Sequence, residues 1–205
     1  MEIKDNDVQV GGDNSTQTAG DYSTQIAQYG STQKAGDYSK QKAGHESTQT
    51  AGNGSTQTAE YGSTQTAEYG STQKAGDRST QVAGGESTQF AGNDSTQTAG
   101  NYSTQFAGND STQTAGNYSN QTAGSESTQK AGFRSTQTAG EDSTVIAYVY
   151  SNYINTITAG KKTTITAINV ETGKSSTLTT TEAGKTYHVS GDCVIREVKE
   201  GESNV

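Results

Sequence analysis

Two glycine–lysine triplets are the parts of this 205-residue chain that most resemble a site of chemistry. In a phosphate-binding loop, a first glycine stands five residues before the glycine of a Gly-Lys-Ser or Gly-Lys-Thr triplet. The triplets here are Gly173–Ser175 and Gly184–Thr186. Ile168 and Thr179 occupy the positions where the first glycine is needed. Both triplets are therefore predicted to be hairpin turns and not phosphate sites.

The other reactive residue types are sparse or badly spaced. His45 and His188 lie far apart in the chain, and Cys193 has no partner at metal-ligand spacing, so no zinc site is predicted. A single cysteine also excludes an internal disulfide framework. Serine is frequent, but it has no accompanying His–Asp arrangement, and the GGxGxD pattern of calcium-binding β-rolls is absent. We predict neither an enzyme nor a bound cofactor.

The composition restricts the partners. The formal net charge is −8, which disfavours nucleic acid because phosphate binding needs a basic surface. No apolar run approaches the roughly 18 residues of a membrane span, and the acidic start MEIKDNDVQV lacks the apolar stretch of a signal peptide. These features are compatible with a protein of the cytoplasm and with one that belongs to an extracellular or virion assembly.

An eight-residue repeat determines the secondary structure of most of the chain. Serine recurs every eight residues from Ser15 to Ser143, which gives seventeen octads of the form S-T-Q-x-A-G-x-x. Positions one and five are always Ser and Ala, and position three is Gln until Val145. Apolar residues make up only 27% of the chain, so repetition must hold this region together where a conventional core cannot.

Constancy at alternate positions predicts a β-strand. Ser, Gln and Ala at positions one, three and five are expected to point inward, whereas Thr at two and the variable residue at four point outward. Glycine at position six is expected to start a turn and to relieve backbone strain. In three octads this position holds Gln28, Glu60 or Glu68, and glycine follows two places later, which predicts a second turn type.

Two octads are needed to close one coil, because one octad supplies only a single strand and a single turn. Tyr22, Tyr38, Tyr102 and Tyr118 occupy position eight in alternate octads, which favours a 16-residue coil. A triangular 24-residue coil remains a minor alternative. Stacked coils lie about 4.8 Å apart, so some eight and a half coils form a rod of roughly 40 Å.

Stacking in register would place each glutamine over the next. Each side-chain amide can then donate to the glutamine carbonyl of the neighbouring coil, which satisfies buried polar groups. The core ladder is predicted to include Gln49, Gln65, Gln81, Gln97 and Gln113.

The predicted fold is all-β, a flattened two-sided β-solenoid of 16-residue coils with a small C-terminal β cap. Residues 1–12 form an N-terminal edge segment, 13–147 the solenoid of seventeen octads, and 148–205 the cap. The segments TVIAYVY, YINTITA, TTITAINV, SSTLTTT, KTYHVS and CVIREV are predicted strands, and ETGK (Glu171–Lys174) suits a hairpin turn. The cap has apolar residues of its own and covers the last coil against edge pairing.

The stretch STQTAEYGSTQTAEYGSTQKAGDRS (Ser55–Ser79) resembles the repeats of bacterial ice nucleation proteins. The resemblance covers most of residues 11–147 and continues into AGEDSTVIAYVY, where such proteins leave the repeats for a small cap. TYHVSGDCVIREVKEG (Thr186–Gly201) is similar to the end of that cap. The resemblance implies 16-residue coils, outward Thr-x-Thr pairs that order water, and self-association through stacked tyrosines.

Carried onto this sequence, the resemblance marks two sets of residues. The better face would present water or ice with Thr16, Thr18, Thr48, Thr50, Thr64, Thr66, Thr96, Thr98, Thr112 and Thr114. The self-association seam would comprise Tyr22, Tyr38, Tyr102 and Tyr118. Threonine is also simply a good strand former, and ordinary packing at the turn edge would explain the tyrosines equally well.

Three functions follow from these readings. The first is a non-enzymatic structural rod that forms a homo-oligomer or filament, and the second is an ice-binding or ice-nucleating protein that organises water. The third is an adhesive module using Phe90, Phe106 and Tyr102 as an aromatic patch.

Overall fold

The computed structural model describes residues 4–199, and within that range the chain consists of strands and turns without a helix. Residues 1–3 of the predicted edge segment and residues 200–205 of the predicted cap lie outside the described residues. The strands form two sheets, called sheet A and sheet B below, and successive strands alternate between them.

Sheet A has twelve strands, in the order β1 (Val8–Val10), β3 (Thr24–Ile26), β5 (Lys40–Lys42), β7 (Thr56–Thr58), β9 (Thr72–Lys74), β11 (Thr88–Phe90), β13 (Thr104–Phe106), β15 (Asn120–Thr122), β17 (Thr136–Ala139), β19 (Asn155–Ala159), β22 (Lys185–Val189) and β23 (Ile195–Glu197). Sheet B has eleven, in the order β2 (Thr16–Thr18), β4 (Thr32–Lys34), β6 (Thr48–Thr50), β8 (Thr64–Thr66), β10 (Thr80–Val82), β12 (Thr96–Thr98), β14 (Thr112–Thr114), β16 (Thr128–Ala131), β18 (Thr144–Val149), β20 (Thr164–Asn169) and β21 (Ser175–Thr179).

Neighbouring repeat strands pair in parallel, sixteen residues apart. Gln81 on β10 is in register with Gln65 on β8 and with Gln97 on β12. Each sheet has ten parallel strands, so the chain forms ten coils with a stacked length of about 48 Å. This register confirms the two-sided solenoid and excludes the triangular 24-residue coil.

The parallel stack extends beyond the serine octads at both ends. Val8–Val10, inside the predicted edge segment, is already a sheet strand, because Gln9 pairs with Gln25 in the repeat register. After the last octad, β19 and β20 continue the two sheets in parallel. Ile157 and Ile165 occupy the inward position that glutamine holds in the repeat strands, and both are fully buried. The parallel pairing therefore continues in these strands without the consensus sequence.

The cap proper consists of β21, β22 and β23, which pair antiparallel. All six strands predicted after Thr144 are present, and the Glu171–Lys174 segment is the hairpin turn between β20 and β21. The hairpin prediction for Gly184–Thr186 is wrong. Gly184 lies in a turn that carries the chain from sheet B to sheet A, because β22 pairs with β19 and not with β21.

The turns share one backbone conformation, so the prediction of a second turn type is wrong. Position eight lies in the left-handed region whether it holds a side chain, as in Tyr22 (φ +56°), or a glycine, as in Gly30 (φ +63°) and Gly62 (φ +69°). A left-handed residue other than glycine costs about 1–2 kcal/mol. Hydrogen bonds between stacked turns offset this cost, such as the Tyr22 backbone N–H to the Asp37 carbonyl at 2.8 Å.

Glycine at position six serves a different purpose from the one predicted. None of these glycines has a positive φ among the described residues. A Cβ on Gly92 would instead collide with the Asp77 side-chain oxygen and lie 2.8 Å from the Asp77 backbone nitrogen. At Gly92 the previous coil therefore passes too close for a side chain, whereas three other octads accommodate Gln28, Glu60 or Glu68 at this position.

Candidate functional site

Two glutamine ladders form the interior of the repeat region, as predicted. Gln49, Gln65, Gln81, Gln97 and Gln113 are fully buried, and the Nε2 of each donates to the Oε1 of the preceding glutamine at 2.8 Å. The second N–H of each amide donates across the core, as from Gln81 to the Phe90 carbonyl at 2.9 Å. Both donors of each amide are thus satisfied.

The ladders have a direction, because every amide donates toward the N-terminal end. The sheet A ladder runs from Gln9 to Gln137, and Asp7 caps its donor end by accepting from Gln9 Nε2 at 2.9 Å. At the C-terminal end the next inward residues are Val145 and Ile157, which cannot donate. The Oε1 atoms of Gln129 and Gln137 are consequently buried without a hydrogen-bond partner.

A third ladder runs through the turns, and the sequence analysis missed it. Asp77 Oδ1 accepts the Asn93 backbone N–H at 2.7 Å, and Asn93 Oδ1 accepts that of Asn109 at 2.8 Å. The repeat formula S-T-Q-x-A-G-x-x leaves position seven unspecified. Its frequent Asp and Asn, residues that bond locally to the backbone in turns, were the available signal.

Sheet B brings all ten predicted water-facing threonines onto one surface, the threonine face, which we define as the outward side chains of sheet B. Each of the ten is exposed or half-buried. At position two the threonine column is unbroken over all eleven strands, from Thr16 to Thr179. At position four it is interrupted by Lys34, Val82, Lys130 and Ile146. The last parallel strand β20 and the cap strand β21 add threonine pairs that the sequence analysis did not assign.

Sheet A presents a more mixed surface. Phe90 and Phe106 stack with ring centroids 5.1 Å apart, and each is 40% exposed. Tyr102, the third member of the predicted aromatic patch, lies on a turn and stacks on Tyr118 instead. The structure therefore divides that patch between a sheet face and an edge.

The turns that leave sheet B carry the four predicted seam tyrosines, and we call this side of the rod the tyrosine edge. Tyr22 stacks on Tyr38 at 5.3 Å and Tyr102 on Tyr118 at 4.9 Å between ring centroids. Between the two pairs, position eight holds Gly54, Gly70 and Glu86, so the seam consists of two separate stacks. Tyr22, Tyr38 and Tyr102 are each more than half exposed.

An aromatic cluster closes the C-terminal end of the tyrosine edge. The Phe133 ring stacks on Tyr153 at 4.6 Å and meets Tyr118 and Tyr150 edge-on at 5.4 Å and 5.0 Å. The guanidinium of Arg134 lies 4.8 Å from the Tyr153 ring centroid, within cation–π range. These contacts join the last octads to the segment that precedes the cap.

Tyrosines at position seven bond to the next coil, a further feature missed from the sequence. Tyr29 Oη donates to Glu46 Oε2 at 2.6 Å, and Tyr61 Oη accepts from Arg78 at 2.9 Å. The hydrogen bond to the Glu46 carboxylate raises the pKa of the Tyr29 phenol above its ordinary value of 10.0. Glu86 raises the pKa of Tyr69 in the same way.

These raised pKa values predict a loss of stability in alkali. The folded state holds both phenols protonated, so their contribution is complete below about pH 10 and disappears as the pH rises through the folded pKa values. We expect the thermal midpoint of the Tyr29→Phe, Tyr69→Phe double variant to fall less steeply above pH 10 than that of the unmodified chain. Tyr102→Phe is the control, because Tyr102 stacks on a ring and not against a carboxylate. Parallel pH profiles for the double variant and the unmodified chain would contradict this prediction.

Within residues 4–199, no group of three or more His, Cys, Asp and Glu side chains is placed to hold a metal ion. His45 Nε2 pairs with Glu60 Oε2 at 2.8 Å on the surface, and His188 lies on β22 at the other end of the rod. Cys193 is buried and in contact with the Lys174 carbonyl. In the same range, no helix is long and apolar enough to cross a membrane.

Comparison of the chain with protein-family models, curated proteins and solved structures finds no match. The site is accordingly defined by its own geometry: a polar interior that is hydrogen-bonded from coil to coil, one nearly uniform threonine face and one edge with two tyrosine stacks.

Proposed function

We propose that this chain is a non-enzymatic structural repeat protein, a rigid rod that displays regular surfaces and associates with copies of itself. The observation that carries this proposal is the pair of glutamine ladders, which hydrogen-bond from coil to coil through the repeat region. Such a ladder fixes every coil relative to its neighbours. Bending the rod would break several buried hydrogen bonds at once, so its outward side chains keep fixed spacings.

Self-association is supported by the exposed tyrosine stacks. Aromatic side chains such as tyrosine are enriched at protein interfaces because they combine a large apolar area with a polar tip. More than half of the surface of Tyr22, Tyr38 and Tyr102 is exposed, and in each stack one ring holds the next in place. These preorganised rings lose little conformational freedom on binding.

Sedimentation and electron microscopy test this function. We expect rods that associate as the protein concentration rises, and a shift to monomers when Tyr22, Tyr38, Tyr102 and Tyr118 are all changed to serine. The matched control changes Phe90 and Phe106 to serine, which removes exposed rings from sheet A and leaves the tyrosine edge intact. Dispersed monomers of the unmodified protein at high concentration would rule out self-association.

A second candidate function is ordering of water or binding of ice by the threonine face. It is favoured by the unbroken column of eleven threonines at position two, spaced about 4.8 Å apart. A flat array of hydroxyl and methyl groups at constant spacing presents water with a repeating template. The lysines and apolar residues at position four interrupt the parallel column and limit the continuous area.

Droplet freezing and thermal hysteresis test the second candidate. Changing Thr50, Thr66, Thr98 and Thr114 to lysine is expected to abolish any effect on freezing, because long charged side chains break the array. The same change at Thr58, Thr122, Thr138 and Thr158 on sheet A is the matched control. Equal freezing behaviour of both variants and the unmodified protein would reject the threonine face as the active surface.

A further inference from the structure

The edge opposite the tyrosine edge carries a slot between two long side chains. Position six in the turns after β3, β5 and β7 holds Gln28, Gly44 and Glu60 in successive coils. Because Gly44 has no side chain, a cavity of about 290 Å³ lies between Gln28 and Glu60. These two residues are two coils apart, or roughly 10 Å along the rod. A slot of this size accepts one small ring and not a drug-sized molecule.

Two aromatic rings that line the slot are held in place by the neighbouring coils. Tyr29 Oη donates to Glu46 Oε2 at 2.6 Å, and His45 Nε2 lies 2.8 Å from Glu60 Oε2. Both contacts reach into the next coil, so the register of the solenoid fixes the two rings. Side chains that are already ordered lose little conformational freedom when a ligand binds.

The slot also contains polar groups that no other side chain uses. Lys42 is exposed at position four of β5 and lines the slot, and its ammonium forms no ion pair with the described residues. Within residues 4–199, the Gln28 side-chain amide has no hydrogen-bond partner, and Glu60 uses only one carboxylate oxygen, on His45. The slot therefore offers a ligand one cation, one carboxylate oxygen and one amide.

These groups match a sugar ring that carries a carboxylate. A pyranose has apolar C–H groups on its faces and hydroxyls on its rim, and each hydroxyl both donates and accepts hydrogen bonds. The rings of Tyr29 and His45 suit the C–H groups, because an aromatic side chain combines apolar area with a polar tip. The Gln28 amide and the free Glu60 oxygen suit the hydroxyls. The Lys42 ammonium suits the carboxylate through a charge-assisted hydrogen bond.

The surface of sheet A continues this site along the rod. Lys42, Thr58 and Lys74 occupy position four of three successive strands in register. Lys42 and Lys74 are thus roughly 10 Å apart, and Lys74 also forms no ion pair with the described residues. In an extended 1,4-linked chain of uronic acids, two sugars together span about the same length. The two ammonium groups therefore match carboxylates on alternate sugars.

From the slot and this lysine spacing we propose that the chain binds an acidic polysaccharide. One hexuronic acid residue occupies the slot, and the polysaccharide continues along sheet A from Lys42 to Lys74. A phosphate ester is a poorer match, because protein phosphate sites combine an arginine fork or several cations, whereas one free cation lines this slot. The site lies away from the tyrosine stacks, so it does not depend on the proposed self-association.

Histidine resonances test the site, because the chain contains only His45 and His188. His45 lines the slot, and His188 lies on β22 near the C-terminal end of the rod. The full chain, made with isotope-labelled histidine, is titrated at constant pH with a 1,4-linked trisaccharide of mannuronic acid. We expect a saturable shift of the His45 resonances in the NMR spectrum and no shift of those of His188.

Three variants locate the binding groups. Lys42→Gln should weaken binding of the trisaccharide about tenfold, because it removes a charge-assisted hydrogen bond. Lys34→Gln removes an equally exposed position-four lysine from sheet B and should leave the affinity unchanged. Gln28→Gly restores the usual residue of position six, so the coil is kept while one wall of the slot is lost. This variant should no longer bind.

Other ligands and outcomes define what would overturn the proposal. If glucose shifts His45 as strongly as the trisaccharide does, the assignment to acidic sugars is wrong. If acetate does so, the slot recognises a carboxylate and not a sugar ring. Equal affinity for mannuronic acid and its trisaccharide would contradict the continuation to Lys74. Unchanged His45 resonances at tens of millimolar trisaccharide, or equal shifts of His45 and His188, would overturn the site itself.

Discussion

Replacing Gln81 with leucine is expected to lower the free energy of unfolding by about 3–6 kcal/mol, because three buried polar groups lose a partner at about 1–2 kcal/mol each. These groups are the Gln65 side-chain oxygen, the Gln97 amide and the Phe90 carbonyl. Leucine has a similar volume and restores none of these bonds. Denaturant unfolding followed by circular dichroism measures the loss. Because repeat stability depends on contacts between neighbouring coils, the transition should also broaden or divide in two.

Gln129→Leu is the matched control, since it makes the same substitution one coil before Val145. Gln129 already has an unpartnered Oε1, and leucine removes that oxygen while leaving the Gln113 oxygen without its donor. The number of unpartnered amide oxygens therefore stays the same, and the main new cost is the Thr138 carbonyl. We expect a loss of about 1–2 kcal/mol. Equal losses for the two variants would show that ladder continuity is not what stabilises the rod.

Ile165→Ala is expected to cost about 2–5 kcal/mol, the range for removing a buried aliphatic side chain and leaving a cavity. Ile165 is fully buried in an apolar cluster, together with Val145, Ile157 and Val189. This cluster attaches the antiparallel strands that cover the last coil. Its loss should expose the end of the glutamine ladders and promote aggregation through unpaired strand edges, measurable as a lower thermal midpoint with increased light scattering.

Ile154→Ala is the control for this second prediction. Ile154 belongs to the same C-terminal segment but is 44% exposed, so its truncation should change stability by no more than about 0.5 kcal/mol. Val170 and Val194 in the same segment are also exposed. If Ile154→Ala proved as destabilising as Ile165→Ala, the apolar cluster could not be the element that holds the cap.

The glutamine ladder was predictable because its rule is local and repeated. Alternating constant positions define the inward face, and identical residues sixteen apart can only stack on one another if the coils pair in register. The ten threonines of one face followed from the same reasoning, since alternate octads must lie on opposite sheets. The strands after Thr144 were also predictable, as their β-branched residues and turn signals are conventional.

The turns were less predictable, because their conformation depends on contacts between coils. Tyr22, Glu46 and Arg78 adopt the left-handed conformation that sequence rules assign to glycine. The requirement at position six also arises between coils, because at Gly92 the side-chain oxygen of Asp77 in the previous coil occupies the space that a Cβ would need. Bonds such as Tyr29 to Glu46 join residues seventeen apart, and only the stacked structure brings them together.

The sequence by itself determined the period, the two-sided coil, the buried glutamines and the composition of each face, because all of these depend on side-chain alternation within one octad and its exact repetition. Only the tertiary structure decided the direction in which the amides donate, the capping of the first glutamine by Asp7 and the shared turn conformation. The physical reason is that these features arise between coils, where geometry in three dimensions, and not the order of residues, sets which groups meet.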